Sequence, residues 1–230
     1  MTTPSHPTLE DARILLEAAT SLLERAIAAG KTLTDGGKRI DDHQVATERI
    51  AYATTEAVAA HEIIVAADEI RGEGRSNPIL ELTAVGAVGN LIAGLRGRLS
   101  DSADELGIGD EAVEAAFPAE VRTLLRGANS EALAREIGEH IVSTRGANHY
   151  PLDEMHEQVR EQVREFAANE IFPHAEHIHR TDALIPEEFI GKMAELGFFG
   201  LSVPEEYGGV EMGNLAMILT TEELSRASLA

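Results

Sequence analysis

Apolar residues along this 230-residue chain recur at spacings of three and four, and hardly anywhere at spacings of two, so the sequence is committed to helices. Leu15, Ala19, Leu22 and Ala26 share one face of a helix that Thr8 can cap and that runs to about Ala29. Asp41 or Asp42 can cap a second, long helix, ended by Gly72 and Gly74. Asn77 and Pro78 open a third, since Asn caps and Pro suits the first helical position. Its body holds Gly86, Gly89, Gly94 and Gly97, each costing about 1 kcal/mol relative to Ala. Close approach of a neighbouring helix would offset that cost; a ligand against bare backbone is the functional alternative. Shorter helices are expected at about 109–116, 118–126 and 130–145. Gly146–Pro151 then breaks the pattern, dividing a helical unit 1–150 from a second unit 151–230. The expected fold is all-α, two helical bundles in tandem.

The charge balance narrows the function. Forty acidic against nineteen basic residues give a net charge of −21, which repels a nucleic-acid duplex or an anionic membrane over most of the surface. Without Cys there is no disulfide, thiolate metal site or Cys nucleophile. The N-terminal stretch lacks the basic region and apolar core of a secretory signal, and no apolar run approaches the ~20 residues that span a bilayer. No membrane partner and a cytoplasmic location are therefore expected.

Several motif fragments fail on spacing. Gly30-Lys31-Thr32 ends like a phosphate loop, but Arg25 stands where that loop needs Gly. His61-Glu62 begins a zinc-protease helix motif, yet Val65 occupies the second His position. Gly72-Glu73-Gly74 lacks the third Gly of a dinucleotide loop. His174, His177 and His179 with Glu176 are the sole plausible metal cluster; on a helix His179 points away from the other two, and no metal site is expected.

The last third carries the most specific pattern. Leu152, Met155, Val159, Val163 and Phe166 line one helix face, and Pro173 should kink or end that helix near Asn169–Phe172. Pro186 opens a short helix closed at Gly197. An apolar FFGLSV segment follows, then the turn Pro204-Glu205-Glu206-Tyr207-Gly208-Gly209 and a final helix over about Asn214–Ala227. Paired glycines allow positive φ or close backbone approach. Tyr207, Gly208 and Gly209 thus form either a tight turn anchored by a packed Tyr or a functional loop. Glu222, Glu223 and Arg226 have helical spacing, giving a surface ion pair or a buried polar anchor between helices. General-base work is not expected there, because the neighbouring arginine keeps a carboxylate ionised and weakly basic.

In order and spacing, this series from Phe166 and Pro173 through PEEYGG to Glu222-Glu223-Leu224-Ser225-Arg226-Ala227-Ser228 resembles the N-terminal helical domain of the acyl-CoA dehydrogenases. The resemblance covers about residues 152–230. It implies a flavoenzyme that desaturates an acyl-CoA thioester between its α and β carbons, with FAD as cofactor and an electron-transfer flavoprotein as electron acceptor. A homo-oligomer is also expected. Tyr207, Gly208 and Gly209 would then lie near the substrate entrance. The family's flavin-binding loops and catalytic glutamate have no matching positions in this sequence. No catalytic or cofactor-binding residue is therefore assigned, and the chain alone, ending at Ala230, is expected to be inactive and to bind no FAD. Residues 1–150 lie outside the ordinary family pattern. A helical extension of this size resembles the family branch that oxidises a branched, carboxylated C5 acyl-CoA. The alternative is a non-catalytic helical binding or interaction module.

Overall fold

The computed structural model describes residues 6–75, 77–145 and 152–228. The chain divides into two compact units, Met1–His149 and Tyr150–Ala230. The break expected over Gly146–Pro151 lies outside the described residues. The fold is all-α, with no strand among the described residues.

The first unit opens with α1, Leu9–Leu33, and its start is a reciprocal cap. Thr8 Oγ1 accepts the Asp11 N–H at 3.3 Å while Asp11 Oδ2 accepts the Thr8 N–H at 2.7 Å. The helix outruns the expected Ala29 by a full turn. It closes at Thr34, whose buried hydroxyl donates to the Gly30 carbonyl at 2.8 Å.

The expected cap at Asp41 or Asp42 is corrected. Ile40–His43 wind as a 3₁₀ turn, and α2, Gln44–Gly72, starts without a side-chain cap. Both carboxylates are engaged elsewhere. Asp41 accepts from Gln44 Nε2 at 3.1 Å and Asp42 from Arg39 Nε at 2.9 Å, and neither carboxylate caps the first turn of α2. Asn77 does cap α3, Pro78–Ser100, accepting the Leu80 N–H at 2.9 Å.

Shorter helices follow: α4 (Ala103–Leu106), α5 (Gly109–Ala116), α6 (Ala119–Ala128) and α7 (Glu131–Thr144). The core is built from α1–α3 with α5–α7 against them, and Leu15, Leu22, Val88, Ile92, Leu95, Leu99 and Phe117 are fully buried. Alanines 46, 53, 57, 60 and 67 of α2 keep that helix close to its neighbours. Gly89 has the same role on α3, since a Cβ there would come within 2.5 Å of the Ala128 Cβ. Gly97 faces open space, so packing does not offset its cost.

By length and composition α3, and α2 with the turn before it, could cross a bilayer. No stretch of sequence was expected to qualify. In this fold each gives one side to the core of the unit.

The second unit begins with α8, Glu154–Phe166, capped by Asp153, which accepts the His156 N–H at 2.9 Å. Near the expected kink, Ala167–Ile171 form a π-helical turn that leads into α9, Phe172–Thr181. The cause is local. Pro173 has no N–H for the carbonyl one turn back, and a widened turn accommodates its ring. Pro186 precedes α10, Glu187–Glu195, and Gly197 turns the chain out at φ 76°. Two 3₁₀ turns, Phe198–Gly200 and Glu205–Tyr207, lead to α11, Gly213–Ala227. Its core is small: Ile171, Ile178 and Phe189 are buried, with Phe166, Met193 and Leu224 packed on them.

Candidate functional site

The chemistry of the second unit gathers around one carboxylate. Glu223 sits on the inner side of α11 with Ala216, Leu219 and Thr220, and only 3% of its surface is exposed. Burying a carboxylate is costly unless it is paired and hydrogen-bonded. Arg164 of α8 meets it in a fork, with Nη2 donating to Oε1 at 2.7 Å and Nε to Oε2 at 3.1 Å. Arg226 adds a guanidinium nitrogen 3.8 Å from Oε1. Burial alone would push the Glu223 pKa up. The Arg164 hydrogen bonds and the charges of Arg164, Arg226 and Arg160 outweigh it and hold the carboxyl below its ordinary range. Such an anion is a weak base, so the arrangement clamps α8 to α11 and does not abstract protons.

Of the two alternatives open for this motif, the structure shows the buried polar anchor between helices. Glu223 is the buried anchor, Glu222 lies exposed on the outer side of α11, and Arg226 is peripheral. The decisive partner, Arg164, was missed as a site residue because it lies 59 positions away. Its own helix offered only a local reading, the i,i+3 contact with Glu161 at 3.3 Å. Arg160 is also buried; it pairs with Glu157, and its Nε has no hydrogen-bond partner among the described residues.

A second clamp holds the π-helical turn. Lys192 of α10 reaches Glu170 at 2.6 Å and Glu188 at 2.9 Å. Hydrogen bonding to Glu170 and then Glu188 raises the Lys192 pKa, and the Lys192 ammonium in turn lowers that of Glu188.

The turn at Tyr207, Gly208 and Gly209 is built by backbone. Gly208 and Gly209 N–H groups return to the Glu205 and Pro204 carbonyls at 2.9 and 3.1 Å. Val210, Glu211 and Met212 then donate to Gly200, Val203 and Leu201 at 2.9, 3.1 and 2.8 Å, stitching the segment onto itself. Gly208 has φ 81°, and a Cβ on Gly209 would collide with the Val203 carbonyl, so both glycines are required sterically. The packed-Tyr expectation is corrected: 75% of Tyr207 is exposed. With the glycines and the ladder holding the turn, the ring is free to face outward. The segment is tied to α8 instead through Phe198, whose ring meets Phe166 edge-to-face with centroids 5.5 Å apart.

Beside the clamp lies a cavity of about 330 Å³ between α9, α10 and α11. Ile171, Ile178, Phe189, Met193 and Phe199 form its apolar walls, and Thr221 and Ser225 add hydroxyls from α11. A smaller cavity of about 140 Å³ is lined by Arg164, Phe172, Glu223 and Arg226. His174, His177 and His179 lie exposed along α9, with the His174 ring 5.6 Å from that of Phe189 and Glu176 held by Arg180 at 2.8 Å. Among the described residues no three His, Cys, Asp or Glu side chains are placed to hold a metal ion.

Residues 153–230 match the N-terminal domain of the acyl-CoA dehydrogenases. The second unit belongs to that family. The chain as a whole is 33% identical over 226 residues to (2S)-methylsuccinyl-CoA dehydrogenase of Cereibacter sphaeroides, a match covering 95% of this chain and 40% of that relative. Two further relatives match a shorter stretch, about a third of this chain each. A 3-(aryl)acrylate reductase of Clostridium sporogenes is 47% identical over 75 residues, covering 33% of this chain and 20% of the relative. The mitochondrial isovaleryl-CoA dehydrogenase of Solanum tuberosum is 42% identical over 77 residues, covering 33% of this chain and 19% of the relative. The chain thus spans about two fifths of the first relative's length and about a fifth of the other two.

Proposed function

We propose that this chain is the N-terminal portion of a flavin-dependent acyl-CoA dehydrogenase that desaturates methylsuccinyl-CoA to mesaconyl-CoA. One observation carries the substrate: similarity to (2S)-methylsuccinyl-CoA dehydrogenase covers 95% of this chain and so runs through both units, whereas the other two relatives described above match 33% of it each. The first helical unit is thus shared with a protein of that named activity.

In the proposed reaction a base takes the α proton, the β hydrogen leaves as hydride, and the Cα–Cβ bond becomes double. FAD, held by other parts of the complete protein, would supply the acceptor for that hydride, and an electron-transfer flavoprotein would be the onward acceptor. The described residues do not fit the flavin. The larger cavity is apolar, and Arg164, which lines the smaller one, is committed to Glu223 through two hydrogen bonds. Nor does Glu223 suit the base, since it is buried, paired and held anionic. The role of these residues is architectural. The Arg164–Glu223 clamp fixes α11, and with it the apolar wall that α11 shares with α9 and α10. The rigid turn carrying exposed Tyr207 suits a loop at the substrate entrance. A homo-oligomer in the cytoplasm completes the proposal.

Product analysis tests it. The protein expressed from its complete reading frame is incubated with methylsuccinyl-CoA and an artificial electron acceptor, and the thioesters are weighed by mass spectrometry. Loss of two hydrogens with formation of mesaconyl-CoA is the expected result; unchanged methylsuccinyl-CoA in the presence of bound flavin would remove the substrate assignment. The isolated 230-residue chain is expected to copurify with no stoichiometric FAD.

A further inference from the structure

We draw no further inference here: the strongest candidate, the apolar cavity of about 330 Å³ between α9, α10 and α11, carries nothing because nothing in the structure shows what covers it.

Discussion

Replacing Arg164 with Ala should loosen α11 more than any other single truncation of a charged side chain in the second unit. The substitution leaves the Glu223 carboxylate, 3% exposed, without its two shortest hydrogen bonds. Breaking a buried pair by removing one partner costs about 3–5 kcal/mol, because an uncompensated charge stays behind. Two features favour the lower end. Arg164 keeps 35% of its side chain exposed, so solvent already screens the pair, and Arg226 remains 3.8 Å from Glu223. The expected loss is about 3 kcal/mol, or roughly a hundredfold in an opening equilibrium. Glu223→Gln keeps the shape and removes the charge, and should cost only about 1 kcal/mol. Hydrogen exchange read by mass spectrometry on peptides from α11 measures both without requiring the two units to unfold together. Exchange in α11 of Arg164→Ala within about threefold of the parent, the behaviour of an exposed surface pair, would refute the clamp.

The same carboxylate sets an acid limit. Because the folded pKa of Glu223 is depressed, its contribution is present above the ordinary carboxylate value of about 4.3 and is lost as pH falls through the folded value. Protection of α11 should therefore fall on acidification below that value, less steeply in Glu223→Gln; identical pH profiles would contradict this. Gly209→Ala, which drives a Cβ into the Val203 carbonyl, should destabilise the 198–212 segment by about 2–3 kcal/mol, seen as faster exchange of its amides. Two glycines of α3 should respond with opposite signs in thermal melts followed by circular dichroism. Gly89→Ala meets Ala128 and should lower the melting temperature, whereas Gly97→Ala meets nothing and should gain up to about 1 kcal/mol of helix propensity.

What could be read from the sequence follows the range of the interactions. Helix positions were legible because caps are local: Thr8 with Asp11, Asn77 with Leu80, and Pro186 with Gly197 all act within a few residues or at one bend. The failure at Asp41 and Asp42 was local too. Their carboxylates had several nearby donors, and side-chain partners took them in place of backbone N–H groups. The Arg164–Glu223 fork was illegible because nothing near either residue distinguishes a buried carboxylate from an exposed one until α8 and α11 pack together. The exposure of Tyr207 was illegible for a related reason. Its two glycines correctly announced a strained, close-packed turn, but the contacts that hold it are backbone to backbone, and the aromatic side chain has no part in them. The cavity between α9, α10 and α11 combines residues from Ile171 to Ser228 and exists only in the tertiary structure.

Flavin absorbance tests the central claim most directly. The protein from the complete reading frame is purified, freed of oxygen and titrated with methylsuccinyl-CoA, isovaleryl-CoA and a straight-chain acyl-CoA in turn, while the flavin band is followed. The account predicts a yellow protein whose band is bleached stoichiometrically by methylsuccinyl-CoA and far less by the others. A colourless protein, or a flavin that none of these thioesters reduces, would contradict it.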